Sequence, residues 1–150
     1  MFSIRQTTKE ELPKGFILET EELPLPEDLN KLLATCREKT HPSKRLKSAL
    51  ENSYCCLSIF NTSNRKLVGF VRATSDKGLN ANLWNLVAEP GENQKALLSF
   101  LINQVLLVLK RELPGCSISV SSPSLAIKTL IKQGFLENPN GIRAMEYKLR

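Results

Sequence analysis

Leu29, Leu32, Leu33 and Cys36 recur three and four positions apart, the spacing that lays one apolar stripe along an α-helix. Pro26-Glu27-Asp28 opens that helix: proline suits a first turn, and two acids suit the positive end of the helix dipole. His41-Pro42-Ser43 ends it and begins a shorter helix with Leu46, Ala49 and Leu50 on its apolar side. The pattern then changes. Tyr54 to Phe60 and Leu67-Val68-Gly69-Phe70-Val71 are apolar runs separated by Asn61-Thr62-Ser63-Asn64, which predicts a hairpin. Asp76-Lys77-Gly78 turns the chain into a third strand, Asn82 to Ala88, so the three make an antiparallel meander. Pro90-Gly91 breaks that strand, and a long helix follows from about Glu92 to Leu113, stopped by Pro114-Gly115. Ser117 to Ser121 alternates as a strand with Ile118 and Val120 on one face. Pro123 suits the first turn of a helix that carries Leu125, Leu130 and Ile131 as far as Gly134. Short strands are expected at Phe2 to Arg5 and Gly15 to Glu19. Closing strands are expected near Phe135 and over Ala144 to Leu149, around a turn at Asn138-Pro139-Asn140-Gly141.

A meander followed by a strand–helix–strand crossover defines an α+β class with a mixed sheet. The length of 150 residues fits one domain over 1–150, and 41% apolar with 24% charged residues is ordinary for a globular chain. No signal or transit segment is read at Met1 to Gln6. The apolar stretch Ala96 to Leu109 is interrupted by Ser99, Asn103 and Gln104 and is shorter than the roughly 20 residues a bilayer needs. The four cysteines and single His41 form no zinc-ligand spacing. Cys55 and Cys56 would face opposite sides of a strand, so reduced thiols and a cytoplasmic location are expected. Residues 1–60 carry nine basic and nine acidic side chains, and the remaining ninety carry twelve and six, so the whole excess of +6 lies in the second part. Such a bias suits a polyanionic ligand or an acidic surface. The basic residues are scattered without interleaved aromatics, so nucleic acid is not expected as a partner.

Several strings carry a resemblance beyond this class: Ala49-Leu50-Glu51-Asn52-Ser53-Tyr54, Leu67 through Asp76, Leu83-Trp84-Asn85-Leu86-Val87 with Pro90, and Gly134-Phe135. In this order and spacing the chain resembles the GNAT N-acetyltransferases, above all their cyanobacterial and plastid branch, over about Leu25 to Leu149. The resemblance implies a mostly antiparallel mixed sheet flanked by helices, with a V-shaped split between the fourth and fifth strands. It implies acetyl-CoA as cofactor and a primary amine as acceptor, on a small molecule or on a protein N-terminus or lysine. The backbone at Leu86, Val87 and Ala88 would pair with the pantetheine arm, and the helix start at Asn93, Gln94, Lys95, Ala96, Leu97 and Leu98 would receive the pyrophosphate.

That helix start departs from the family's Gln/Arg-x-x-Gly-x-Gly/Ala pattern. Asn93 stands at the first position, Ala96 at the first glycine and Leu98 at the second small residue. A working site and a helix start repurposed for packing are the two readings, and Leu98 is the expected obstacle. Leu130 occupies the place of the family's general-acid tyrosine, and Asn85 that of a frequent carboxylate. Asn85, Glu89 and Ser121 are the remaining catalytic candidates; Ser122 and Tyr54 could also donate a proton. Arg72, Asp76 and Trp84 are the acceptor-side candidates. Glu89 also reads as a solvated side chain, Arg72 and Asp76 as a solvated turn, and Trp84 as a core anchor. The face Leu97, Leu101, Leu106, Leu109 is expected to be covered on two sides, within the monomer or by a homodimer or protein partner. Acetyl transfer is the function expected, with a catalytically silent GNAT-like binding or assembly module as the alternative.

Overall fold

A computed structural model of the protein describes residues 10–149, so the strand expected at Phe2 to Arg5 lies outside them. The elements follow in the order β1 (Phe16–Glu19), α1 (Pro26–Thr35), α2 (Ser43–Glu51), β2 (Cys55–Asn61), β3 (Leu67–Ser75), β4 (Asn80–Ala88), α3 (Gln94–Glu112), β5 (Ser117–Val120) and α4 (Ile127–Lys132). The five strands form one sheet in sequence order. β1 to β4 pair antiparallel, β2 to β4 through short turns and β1 to β2 across α1 and α2, whereas the α3 crossover brings β5 alongside β4 in parallel.

Each face of the sheet has its own apolar cluster. On one, Leu29, Leu32 and Leu33 of α1 and Leu46 and Leu50 of α2 meet Cys56, Leu67, Phe70 and Val87. On the other, α3 and α4 pack on Leu57, Val71, Ala73, Leu83 and Leu86. Adjacent Cys55 and Cys56 do go to opposite faces, Cys55 packing against the α3 cluster and Cys56 lying in the α1 cluster. All four thiols are free. Each buried leucine of the α1 stripe contributes about 1.5–3 kcal/mol, so the stripe, rather than any capping side chain, holds α1. Its N-cap Leu25 makes no capping bond.

α3 is covered on two sides, by the sheet and by α4, with Leu97, Leu101, Leu106 and Leu109 buried within the monomer. It starts at Gln94 rather than Glu92, because Gly91 at φ 147 swings the chain out of the strand and Glu92-Asn93 form a turn first. Gly69 lets α3 approach: a methyl group there would meet Leu101 Cδ1 at 3.2 Å and Ile59 Cδ1 at 3.3 Å.

The helix expected from Pro123 begins as a 3-10 turn, Ser124–Ala126, before α4. Gly134 ends α4 at φ 105. Its N–H donates to the Ile131 carbonyl at 3.0 Å, and that of Phe135 donates to Leu130 at 3.1 Å. This is the paired closure that a left-handed residue makes possible, and it explains the Gly134-Phe135 string.

The closing strands are a correction. After β5 no strand forms among the described residues, and Pro139–Gly141 is a 3-10 turn, with Asn138 before it and Asn140 within it left-handed. Met145, Tyr147 and Leu149 alternate as strand residues would but stand almost fully exposed. Alternation specifies a strand only where one face can be buried. No helix among the described residues is long and apolar enough to cross a membrane.

Candidate active site

The site begins where two strands part. β4 and β5 pair from Asn80↔Ser117 to Leu83↔Val120, after which β5 ends and Trp84 to Ala88 continue without it. Over the same stretch β4 slips against β3, whose partner changes from Trp84 at Arg72 to Val87 at Phe70. Asn85 is the extra residue, at φ 54, a conformation asparagine tolerates better than most side chains. The bulge reverses the alternation of the strand. Ala81 and Leu83 lie in the α3 cluster before it, and Leu86 and Ala88 lie in the same cluster after it.

A polar group fixes this kink. The Arg72 guanidinium donates from Nε to Asn85 Oδ1 at 2.7 Å and from Nη1 to Ser53 Oγ at 3.4 Å. It stands 5.9 Å from the centroid of the Trp84 ring, within cation–π range. The indole N–H donates to Thr74 Oγ1 at 2.8 Å. Trp84 is 39% exposed and belongs to neither apolar cluster, so the core-anchor reading of it is corrected. Arg72, Trp84 and Asn85 therefore form one unit beside the split. Burial pushes the Arg72 guanidinium down from its ordinary range, and among the described residues no carboxylate pairs with it.

The other half of the site is the start of α3. The Gln94 side chain reaches back and donates to the Ala88 carbonyl at 2.9 Å, which also accepts the Cys36 thiol at 3.2 Å. That carbonyl is thus already engaged by protein groups. The side chains of Leu86, Val87 and Ala88 are buried, so only their backbone is available to a ligand. The first bond of the helical ladder runs from the Leu97 N–H to Asn93 O at 2.9 Å, and the N–H groups of Lys95 and Ala96 find no backbone acceptor among the described residues. Asn93 caps nothing with its side chain. Lys95 and Ala96 are exposed, whereas Leu97 and Leu98 are 1% and 2% exposed and face the core. The Leu98 side chain, expected as the obstacle, does not stand on the exposed surface of this helix start. A leucine there is held inward by the sheet.

The remaining candidates lie apart from this unit. Asp76 organises the β3–β4 turn: its Oδ1 accepts from the N–H groups of Gly78, Leu79 and Asn80, and those bonds, led by Gly78, hold its carboxyl below the usual range. Glu89 is ion-paired with Lys66 at the strand end. Ser121 lines a cavity of about 410 Å³ with Trp84, Val120, Leu130 and Phe135, and Ser122 turns its hydroxyl to the Pro123 carbonyl. The Tyr54 hydroxyl donates to Glu112 at 3.3 Å. Leu130 is buried and, as the sequence states, brings no proton.

A second cavity, of about 520 Å³, opens on the α1–α2 side. Arg72 and Asn85 line it together with Lys39, His41, Arg45 and Lys148. These last four are not singled out by the sequence, where His41-Pro42 reads only as a helix boundary and Lys148 only as part of an alternating segment. His41 is held in place by Asn30, whose Oδ1 accepts its backbone N–H at 3.0 Å.

A sheet parting at a bulged fourth strand, with a helix start directly after it, defines an acyl-CoA acyltransferase type of fold. Known proteins agree. The chain is 32% identical over 120 residues to the uncharacterized N-acetyltransferase ycf52 of Gracilaria tenuistipitata var. liui, covering 79% of this chain and 65% of that protein. It therefore spans less than two thirds of that relative. It is 28% identical over 141 residues to the chloroplastic GCN5-related N-acetyltransferase 1 of Arabidopsis thaliana, 89% of this chain and 68% of that one. A Staphylococcus aureus protein, solved and titled a probable acetyltransferase, superposes with a TM-score of 0.78 at 16% identity, over 89% of this chain and all of that one. No protein-family model matches the chain. The chain thus has the fold of the GNAT acetyltransferases, and the relatives it resembles carry N-acetyltransferase names.

Proposed function

We propose that the chain, as a single domain, transfers an acetyl group from acetyl-CoA to a primary amine beside the β4 bulge. One observation carries this reading: the run of β4 from Trp84 to Ala88, free of β5 on its outer edge, leads through Pro90-Gly91 straight to a helix start whose Lys95 and Ala96 N–H groups have no backbone partner among the described residues. The residues present fit the cofactor. A helix N-terminus with free N–H groups and no first-turn acid favours a pyrophosphate. Ala96 keeps the approach low, and Lys95 adds a positive charge. Gln94 ties this turn to β4 through Ala88, and Leu97 and Leu98 anchor it in the core.

Acetyl-CoA supplies the activated acyl group as a thioester. The chain's part is to hold and to orient. Leu86 and Val87 offer backbone groups along the split, while the Arg72–Asn85 bond keeps the bulge open. Because Asn85 Oδ1 is taken by Arg72, its amide nitrogen is the group left to position a water that accepts the amine's proton. Ser121 stands on the β5 side, and Glu89, bound to Lys66, is at most a distant proton sink. Trp84 and Arg72 form the wall met by the acceptor, and Asp76 keeps only its turn. Without a general-acid tyrosine, rate rests mainly on positioning, so slow turnover is expected. Free thiols and the chloroplastic relative are compatible with a reducing compartment, cytoplasmic or plastid.

The alternative, a GNAT-like module without turnover, is favoured by one specific observation: Leu130 is buried where an acid would stand. Calorimetric titration with acetyl-CoA and an amine panel decide between them. Heat with turnover supports the enzyme. Heat without turnover supports the silent module, and no heat at about 1 mM ligand removes the cofactor from the proposal.

A further inference from the structure

The cavity of about 520 Å³ behind Asn85 is ringed by Lys39, Arg45, Arg72, Lys148 and His41, with Glu146 as its one acid. Three further observations give this ring a chemical meaning. Arg72, at the inner end, is half-buried with no carboxylate partner among the described residues, and two of its bonds go to neutral oxygens of Asn85 and Ser53. Lys39 and Lys148 lie close enough to hold the Lys39 ammonium below its ordinary range, chiefly through each other, against only a weak pull from Glu146. α2 begins on this rim with Lys44 and Arg45 in its first turn and no acid there, whereas α1 begins with Glu27 and Asp28. Cations at the positive end of a helix are unfavourable. The protein thus concentrates positive charge around a concave space without supplying the anion that would balance it. His41 senses the same field: burial first, then the charges of Lys39, Arg72 and Arg45, keep its imidazole below the ordinary value.

We propose that this cavity binds the acceptor, and that the acceptor is a small primary amine carrying an anionic group, a phosphate or a carboxylate. The inference rests on the reading of the β4 bulge as the place of transfer, because Asn85 and Arg72 belong to both. The anion meets Lys39, Arg45 and Lys148 at the mouth, and the amine points inward to Asn85. The cavity's size suits a small molecule rather than a polypeptide, and its charge excludes a purely cationic polyamine.

The test follows the His41 imidazole by NMR titration in the full chain, without acetyl-CoA and in a buffer free of phosphate. An anion bound beside an imidazole favours its charged form and raises its pKa. O-phosphoethanolamine or γ-aminobutyrate is expected to raise it, and whichever does so better identifies the anion; ethanolamine is expected to leave it unchanged. Lys39→Gln combined with Lys148→Gln, both on exposed positions, is expected to weaken the anionic amine about tenfold, a loss typical of charge-assisted bonds. Arg72→Gln is expected to abolish the shift, and the exposed double variant keeps the test valid if Arg72→Gln fails to fold. Equal response to ethanolamine, no response to either anion, or response only to an acidic peptide overturns the proposal. Because no acetyl-CoA is present, failure to bind acetyl-CoA would sink the transferase reading and leave this result standing.

Discussion

At the residue scale, Leu98 changes meaning between sequence and structure. Set against a family pattern it is a bulky residue where a small one belongs. In the fold it is 2% exposed within the α3 cluster. Leu98→Ala is therefore expected to cost about 2–5 kcal/mol, the range for a buried leucine with its cavity, measured by urea unfolding. Ala96→Gly, on an exposed position, is expected to cost about 1 kcal/mol or less while leaving acetyl-CoA heat intact or increased. The reverse ranking would mean that Leu98, and not Ala96, faces the ligand. Cys55 offers a second residue-level check. Burial, with Cys56 beside it, pushes its thiol up to about 11 from an ordinary 9.0. The folded state keeps the proton longer than the unfolded one, so stability is complete below pH 9 and falls as pH rises from about 9 toward 11. Comparing urea midpoints across that window, Cys55→Ala is expected to flatten the decline. An unchanged slope would remove Cys55 as its source.

At the element scale, the bulge is the part of the fold on which the site depends. Asn85 holds φ 54 and accepts from Arg72. Asn85→Gly keeps the conformation and loses the bond, whereas Asn85→Val forces a β-branched residue into a left-handed position, a strain of about 1–3 kcal/mol. Thermal melts should place Val below Gly, and Val equal to Gly would mean that the kink relaxes. The elements differ in how well the sequence declares them. α1 is legible because its stripe and its Pro-Glu-Asp start agree, and the meander because Asn61 to Asn64 and Asp76 to Gly78 are turn-forming strings. The bulge is not legible from alternation, since an inserted residue looks like any other. The resemblance points only to the split beside it. The missing final strands are hidden for another reason: they depend on whether a neighbour exists to bury the apolar positions, and among the described residues none covers Met145, Tyr147 and Leu149.

At the scale of the whole molecule, the two candidate binding regions draw on different parts of the chain. The proposed cofactor region is made of β4, which reaches both apolar clusters, and α3, which is embedded in one of them. The anionic-acceptor cavity borrows Glu146, Tyr147, Lys148 and Leu149 from a segment without secondary structure. Ending the chain after Gly141 removes exposed side chains and no core residue, so the melting temperature should fall by no more than a few degrees. The truncated protein should still be stabilised by acetyl-CoA, by about 2.7 kcal/mol at a hundredfold excess over Kd, or about 5–10 °C for a chain of this size. Its response to O-phosphoethanolamine should weaken, because Lys148 is gone while Arg72 and Lys39 remain. Thermal shifts with each ligand separate the two effects. If truncation instead erased the acetyl-CoA shift and spared that of the anionic amine, the assignment of the two regions would have to be exchanged: the cofactor's phosphates would belong among Lys39, Arg45 and Lys148, and the start of α3 would be a packing element alone.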